Sequence, residues 1–217
     1  SLLQNVTSGR SLYYYMAVIF LALLLGKRVM LYAQGIGPVC GGFARWLMTA
    51  ISRRVARITV RDYGSLEELR SLNITRPPSE VTADPVLAIH PVDRGIGRAI
   101  LTKYKAAGAK PVVGISVREW RGWSGYKKAI AAAAGEIARE FEARVIFLPM
   151  QYPEDVETAR KIAAQAGEPM IVLDEEYTTS ELLSIVGNLD LLISIRLHGL
   201  IFAGVMGVPM VGISYDP

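Results

Sequence analysis

The sequence predicts an α/β protein whose strands form parallel, doubly wound sheets, and three observations support this prediction. Short apolar runs of strand length alternate along the chain with longer runs whose apolar residues recur at helical spacing. Glycine and proline follow several of the short runs, which is typical of buried strands that lead into loops. An alternation of strand, helix and strand at these lengths favours a parallel sheet with helices packed on it.

In the first half of the chain, strand and helix patterns follow one another from position 29 onwards. The predicted elements are a strand, a helix, a strand and a short helix, at 29–33, 41–55, 57–61 and 66–72. Asp62 to Ser65 can cap the short helix. Upstream, the apolar run Leu12–Leu25 is shorter than the roughly 20 residues that a membrane-spanning helix needs, so we expect a helix buried in the α/β core.

The second half of the chain repeats the alternation more regularly. Strands are predicted at 111–117, 144–150, 170–173, 189–195 and 210–214, and helices at 126–143, 153–166, 179–186 and 197–206. Between the halves the apolar periodicity weakens, and glycine, proline and charged residues take over. We therefore predict a Rossmann-like domain at 1–90, a linker at 91–110 that can carry a short helix around 99–106, and a second Rossmann-like domain at 111–217, with the two domains facing each other across a cleft.

Composition excludes several classes of protein and partner. With 51% hydrophobic and 20% charged residues among 217, the chain is neither a disordered tail nor a long solvated coiled coil. The single cysteine, Cys40, excludes an internal disulfide framework and predicts a reducing, cytoplasmic compartment. A net charge of +4 fits an anionic small substrate or an anionic membrane surface, whereas the lack of a Lys/Arg block argues against a nucleic-acid partner.

The glycines after the first predicted strand do not form a dinucleotide site. Gly35-Ile36-Gly37 lacks the third glycine of the fingerprint at its usual position, and Pro38 removes a backbone N–H from the turn that would hold a pyrophosphate. No Walker A sequence occurs either. We therefore expect no NAD, FAD or P-loop nucleotide, and no cofactor.

Two arginines and a histidine follow predicted strands of the second half. Arg196-Leu197-His198-Gly199 lies between a strand and a helix, and Arg118 follows the strand at 111–117. The carboxyl ends of parallel strands bind ligands in α/β enzymes, and a helix N-terminus attracts anions. Paired arginines suit a ligand that carries both a carboxylate and a phosphate. A structural histidine beside surface arginines that cover aromatic rings is the alternative.

In the first half, Val60-Arg61-Asp62 and Ala83-Asp84-Pro85 are the analogous strand-end groups, with Arg61 at the end of the strand predicted at 57–61. The Asp84 carboxylate can accept hydrogen bonds from sugar hydroxyls, and proline at the next position holds it extended. From position alone, an ordinary turn residue is the favoured interpretation.

Six segments carry a resemblance to a known family: Ser1-Leu2-Leu3-Gln4, Gln34-Gly35-Ile36-Gly37-Pro38, Val60-Arg61-Asp62, Ala83-Asp84-Pro85, Gly114-Ile115-Ser116-Val117-Arg118 and Arg196-Leu197-His198-Gly199. With them the chain resembles the polysaccharide pyruvyl transferases, most closely the bacterial CsaB-type enzymes that pyruvylate secondary cell-wall polysaccharide. The resemblance implies a GT-B-like fold of two Rossmann-like domains. Family members usually carry three glycines before the first of these segments, so we expect the first domain to be truncated at its N-terminus.

The resemblance also implies a reaction and its residues. Pyruvate would pass from phosphoenolpyruvate to a sugar as a cyclic ketal, with release of phosphate and without a metal. Arg118, Arg196 and the backbone of Leu197 would hold phosphoenolpyruvate, and His198 would donate a proton or stabilise the phosphate. Arg61 and Asp84 would face the acceptor.

The expected acceptor is an amino sugar of a lipid-linked or polymeric cell-wall precursor that serves S-layer anchoring. Contact with the inner face of the bacterial membrane would be peripheral, through basic residues such as Lys27, Arg28, Arg53 and Arg54. Two alternatives remain open: a GT-B nucleotide-sugar glycosyltransferase or epimerase, and a non-catalytic carbohydrate-binding fragment. The sequence leaves the oligomeric state open.

Overall fold

A computed structural model describes residues 3–6, 9–120 and 125–214, and it divides the chain into two compact units, Ser1–Pro85 and Val86–Pro217. Each unit contains one sheet, and every strand pairing in both sheets is parallel. The alternation of apolar patterns therefore predicted the fold class correctly.

The first unit has a three-stranded sheet in the order β1-β2-β3. Its elements are α1 (Gly9–Leu24), β1 (Met30–Gln34), α2 (Gly42–Ser52), β2 (Arg57–Val60), α3 (Tyr63–Ser71) and β3 (Ser79–Val81). One apolar core joins the helices to the strands, with Leu12 of α1, Met48 of α2, Ile58 of β2 and Leu69 of α3 all fully buried.

The second unit has a five-stranded sheet in the order β6-β5-β4-β7-β8. A short 3-10 helix (Pro85–Ala88) precedes its elements, which are α4 (Gly95–Lys103), β4 (Val112–Ser116), α5 (Gly125–Glu140), β5 (Arg144–Phe147), α6 (Glu154–Ala163), β6 (Ile171–Val172), α7 (Thr179–Val186), β7 (Leu191–Ser194), α8 (Leu197–Met206) and β8 (Met210–Gly212). The chain adds β5 and β6 on one side of β4, and then β7 and β8 on the other. Such a reversal of strand order is where open α/β sheets bind ligands.

Helices cover both faces of this second sheet. Ile146 and Leu148 belong to the core cluster that contains residues of α4, α7 and α8. Val145 and Phe147, which alternate with them along the chain, belong to the cluster that contains residues of α5 and α6. Because successive side chains of a strand point to opposite faces, the two clusters lie on the two sides of the sheet. The sheet is doubly wound, as predicted.

Helix α1 forms where it was predicted, but the expectation that it is buried in the core is wrong. Only one stripe of α1 packs inward, and Leu12 and Met16 are its fully buried members. The opposite side, which includes Val18 and Leu21, is exposed. Only one side of the helix faces the core of its own unit. The other side is also apolar, so the sequence did not indicate that it is exposed. Within the described residues, no helix is both long and apolar enough to cross a bilayer.

The stretch at 91–110, expected to be a linker with a short helix around 99–106, contains α4 (Gly95–Lys103), and the chain divides into its two units between Pro85 and Val86. Helix α4 packs closely against α7. A Cβ built on Gly97 would overlap the backbone of Ser184, so only glycine fits at this contact. The Gly97 N–H donates to Ser184 Oγ at 2.7 Å. The glycine that looked like a sign of a loop thus permits a close contact between two helices.

We expect Gly97→Ala to destabilise the protein by about 1–3 kcal/mol, since overpacking a close backbone contact forces the helices apart. Gly42→Ala is the matched control, because it is also a helical glycine and its Cβ would meet no atom within 4 Å. Denaturant unfolding of both variants checks this, and equal stability of the two would contradict the role given to Gly97.

Candidate active site

The structure brings the two predicted arginines of the second unit to neighbouring strand ends. Strands β4 and β7 are paired so that Ser116 lies opposite Ser194, and the Ile195 N–H donates to the Ser116 carbonyl at 3.0 Å. Arg118 and Arg196 each come two residues after this pair. They therefore leave the carboxyl edge of the sheet side by side, at the point where the strand order reverses.

Arg196 is held by a buried carboxylate that the sequence did not reveal. Its Nη2 donates to Asp155 Oδ1, and also to Gln151 Oε1 at 3.2 Å. Only 18% of the Arg196 side chain and 1% of the Asp155 side chain are exposed. The Nε of Arg196 is buried and has no hydrogen-bond partner in the part of the chain that the structure describes. Arg196 thus has a fixed orientation, and its buried Nε is a donor without a partner among the described residues.

Asp155 is positioned by the first turn of α6 and by the loop before it. Its Oδ2 accepts hydrogen bonds from the N–H groups of Met150 and Gln151, at 3.1 and 2.9 Å. Acidic residues are common in the first turn of a helix, and Glu154 and Glu157 share that turn. In the sequence, Asp155 therefore looked like an ordinary helix-start residue.

Arg118 lies beside two aromatic side chains. Its guanidinium carbon is 5.2 Å from the centre of the Trp120 ring, and its carbonyl accepts a hydrogen bond from the Tyr126 hydroxyl. The stacking on Trp120 agrees with the alternative in which the arginines cover aromatic rings, but it leaves Arg118 half-buried at the strand end. Residues 121–124, which follow Trp120 and which the sequence suggests as part of a glycine-containing loop at 121–125, lie outside the described residues.

Tyr126 itself is buried in the core between the sheet and α5. Burial, together with the negative charges of Glu119 and Asp155, raises the pKa of Tyr126 to about 12, although the Arg118 charge opposes the shift. Both Glu119 oxygens accept hydrogen bonds from Lys127 Nζ at 2.7 Å. The site thus contains a second ion pair that the sequence did not reveal.

The raised pKa of Tyr126 predicts a pH dependence of stability. The folded protein holds this proton more tightly than the unfolded chain, whose tyrosine pKa is 10.0. The stabilisation by Tyr126 is therefore complete below pH 10 and is lost as the pH rises towards 12. We expect the stability difference between wild type and Tyr126→Phe to shrink between about pH 9 and about pH 11.5 in denaturant unfolding. A constant difference would contradict this assignment, and Tyr14→Phe, at an exposed tyrosine, is the control.

Leu197 and His198 are the first two residues of α8, and both are exposed. The imidazole therefore lies at the N-terminal end of a helix, where the positive end of the helix dipole favours anions. It follows Arg196 by two residues, so the structure keeps the predicted group together at one end of β7.

Close packing against Ser194 explains why the segment Arg196-Leu197-His198-Gly199 ends in glycine. A Cβ at Gly199 would lie 2.6 Å from Ser194 Oγ. That hydroxyl donates to the Arg196 carbonyl at 2.8 Å and accepts from the Arg196 N–H at 3.0 Å. Glycine therefore leaves room for the serine that fixes the backbone of Arg196.

In the first unit, Arg61 and Asp84 form an ion pair, with Arg61 Nη1 3.1 Å from Asp84 Oδ2. Arg61 Nε is also 3.3 Å from Asp62 Oδ2. A Cβ at Gly35 would lie 2.6 Å from the Arg61 guanidinium carbon, so the guanidinium packs directly on the loop after β1. The two predicted acceptor residues are thus brought together at the carboxyl edge of the first sheet.

Asp62 has a structural role beside this pair. It caps α3 by accepting a hydrogen bond from the Ser65 N–H at 2.7 Å. Partial burial raises the pKa of Asp62, but the hydrogen bonds from Ser65 and the charge of Arg61 outweigh that effect and leave it below its ordinary value. The carboxylate stays charged and keeps Arg61 in place.

The loop after β1 is tied down by its own N–H groups. The Ile36 N–H donates to Ser65 Oγ at 2.8 Å, and the Gly37 N–H donates to the Leu3 carbonyl at 3.2 Å. The Val39 N–H donates to Glu68 Oε1 at 3.0 Å. This glycine-containing turn therefore presents a rigid edge beside Arg61.

Comparison with known proteins gives a family and a fold. The family model for polysaccharide pyruvyl transferases matches residues 2–217. No curated protein matches the chain.

Solved structures of similar fold include UDP-GlcNAc 2-epimerase from Neisseria meningitidis bound to UDP-GlcNAc, at 12% identity and a TM-score of 0.62 over 93% of this chain and 57% of that one. MnaA from S. aureus, solved with UDP, is 14% identical with a TM-score of 0.64, over 90% of this chain and 54% of that one. The present chain thus spans a little more than half the length of these structures. Likeness at this identity shows the fold, and the predicted GT-B-like α/β class is confirmed.

Proposed function

Because the chain belongs to the polysaccharide pyruvyl transferase family, we propose that it transfers pyruvate from phosphoenolpyruvate to a sugar of a polysaccharide or its precursor. The observation that carries the proposal is the placement of Arg118 and Arg196 on adjacent strand ends at the reversal point of the sheet, beside the N-terminus of α8. Two guanidinium groups and a helix N-terminus are a suitable set of partners for a small molecule with a carboxylate and a phosphate.

Binding of the donor uses groups that are already oriented. Asp155 and Gln151 hold Nη2 of Arg196 and so fix the orientation of its guanidinium group, which is 18% exposed as a side chain. Trp120 supports the Arg118 guanidinium from one side. Holding the trianion in one orientation lowers the entropic cost of the reaction with a sugar hydroxyl.

The reaction proceeds by addition and displacement. His198 donates a proton to the methylene carbon of phosphoenolpyruvate, and a sugar hydroxyl adds to the central carbon. The bond from that carbon to the phosphate oxygen then breaks, and a second hydroxyl of the same sugar takes the place of phosphate and closes the ketal. Of the two hydroxyl protons, one leaves on the released phosphate. The other goes to the neutral imidazole, which restores the protonated His198.

The first unit is the acceptor side in this proposal, and the second unit is the donor side. Arg61 and Asp84 pair with each other, and sugar hydroxyls would donate to the Asp84 carboxylate beside Arg61. Following the resemblance to CsaB-type enzymes, the acceptor is an amino sugar of a lipid-linked or polymeric bacterial cell-wall precursor. Basic residues of the first unit, Lys27 and Arg28 among them, would contact the inner face of the cytoplasmic membrane.

Product analysis tests the proposal. The protein is mixed with phosphoenolpyruvate and a lipid-linked amino-sugar disaccharide, and the acceptor is followed by mass spectrometry while phosphate release is measured. We expect a pyruvyl mass gain with an equal amount of phosphate, and one deuterium in the new methyl group when the reaction runs in D₂O.

The same assay separates the alternatives. A nucleotide-sugar enzyme of this fold would consume a UDP-sugar and ignore phosphoenolpyruvate, whereas a carbohydrate-binding fragment would bind the acceptor without releasing phosphate. Either result, or a product without the pyruvyl group, would contradict the proposed function.

A further inference from the structure

The first unit exposes a large apolar surface on α1 and the start of α2, called here the α1–α2 surface. Its members are large apolar or aromatic side chains, each between 41% and 66% exposed: Tyr13, Tyr14, Val18, Phe20, Leu21, Leu24, Leu25, Phe43 and Trp46. Exposed apolar surface on this scale marks a place of interaction.

The surface is continuous across the two helices. Tyr13 of α1 stacks on Phe43 of α2 with ring centres 6.2 Å apart, and Phe43 stacks on Trp46 at 5.9 Å. Along α1, the exposed positions recur at helical spacing on the side opposite the buried stripe that contains Leu12 and Met16. The core of the unit is therefore complete without these side chains.

The two ends of α1 are bordered by basic residues. Residues 1–61 contain no Asp or Glu and eight basic residues. Three of the eight, Arg45, Arg57 and Arg61, pair with carboxylates at positions 62–84 of the same unit. The other five are Arg10, Lys27, Arg28, Arg53 and Arg54. Arg10 lies in the first turn of α1, and Lys27 and Arg28 follow its last turn; all three are exposed. The apolar face is thus bordered by cations at both of its ends.

We propose that the α1–α2 surface docks onto an anionic lipid bilayer. The apolar and aromatic side chains enter the boundary between head groups and acyl chains, while Arg10, Lys27 and Arg28 contact lipid phosphates. Tyrosine and tryptophan favour this depth of a bilayer. The inference rests on the proposed function, to which it adds the surface that brings the site to a lipid-linked acceptor.

Charge complementarity selects the bilayer over a second copy of this chain. Pairing two α1–α2 surfaces would bring the same cationic borders together, with no acidic residue in the first 61 positions to neutralise them. An anionic membrane supplies both the apolar phase and the opposite charge.

Vesicle co-sedimentation tests the proposal. We expect the protein to bind vesicles that contain about 30% phosphatidylglycerol, to bind pure phosphatidylcholine vesicles more weakly, and to lose affinity as salt is raised. Leu21→Glu should weaken binding about tenfold or more, since it removes buried apolar area and adds a repelled charge. Leu87→Glu is the matched control, because Leu87 is 53% exposed against 58% for Leu21 but lies in the other unit.

Charge-reversal variants provide a second test in the same vesicle experiment. Lys27→Glu with Arg28→Glu should abolish the preference for phosphatidylglycerol, whereas Lys128→Glu with Arg139→Glu, at exposed positions of α5, makes the same change in net charge and should not. Circular dichroism of each variant confirms that it is folded.

Two results would overturn the proposal: equal vesicle binding by Leu21→Glu and Leu87→Glu, or a dimer that Leu21→Glu dissociates without any vesicle binding by wild type. The vesicles contain neither acceptor nor phosphoenolpyruvate, so the result is independent of catalysis. Pyruvyl transfer to a water-soluble acceptor without vesicle binding would reject only the docking surface, and vesicle binding without transfer would reject only the proposed function.

Discussion

His198→Ala is expected to lower kcat for pyruvyl transfer by about 10²- to 10⁴-fold, the usual contribution of a positioned general acid. His198 is exposed at the start of α8, next to the strand end that carries Arg196, so the substitution removes the imidazole without opening a cavity in the core. His90→Ala is the control, since His90 is the other histidine of the chain and is also exposed.

A glutamine at this position separates the two roles open to His198. His198→Gln keeps a hydrogen-bond donor but cannot transfer a proton. If the imidazole is the acid, both variants lose kcat; if it only stabilises the phosphate, glutamine restores much of the activity. Steady-state kinetics on the three proteins decides, and wild-type kcat in His198→Ala would remove this residue from the mechanism.

The second large effect is expected at the arginines. Arg196→Ala and Arg118→Ala should each weaken phosphoenolpyruvate binding by about 1.5–3 kcal/mol, the value of a charge-assisted hydrogen bond, which is roughly ten- to a hundredfold in Kd. Arg196→Lys should recover little of this, because an ammonium group cannot form two parallel hydrogen bonds. Arg139→Ala, at an exposed arginine of α5, is the control.

Arg196→Ala also has a structural cost. It leaves the Asp155 carboxylate, 1% exposed, without its cation, and breaking a buried ion pair on one side costs about 3–5 kcal/mol of stability. Combining it with Asp155→Asn removes the unpaired charge. We expect the double variant to regain stability but not affinity, which separates loss of the ligand contact from loss of the fold. Recovery of both would contradict a direct contact between Arg196 and the ligand.

Local patterns in the sequence were sufficient to predict which residues end strands, but not which strands are neighbours. The run before Arg118 and the run before Arg196 both predicted strands, and both formed. That β4 and β7 pair directly, although α5, β5, α6, β6 and α7 lie between them in the chain, depends on packing over the whole sheet. The site could therefore be assembled only as a hypothesis from its parts.

The features that sequence analysis missed or assigned wrongly have a common physical cause. In each, contacts between distant parts of the chain determined the structure, and the local sequence pattern did not. Gly97 was one of the residues that indicated a linker, but it permits the close approach of α4 and α7 within the second unit. Asp155 matched the ordinary pattern of a helix start, yet its carboxylate is buried against Arg196. The apolar run of α1 indicated burial on all sides, although its unit covers one side only. None of these outcomes has a signature within a window of a few residues.

Calorimetric titration with phosphoenolpyruvate addresses the binding site most directly. Wild-type protein should take up one equivalent per chain, UDP should not compete, and the variant that combines Arg118→Ala with Arg196→Ala should give no measurable heat of binding. Undiminished binding of phosphoenolpyruvate by that variant, or displacement by UDP, would place the ligand elsewhere and refute the assignment of the strand-end arginines.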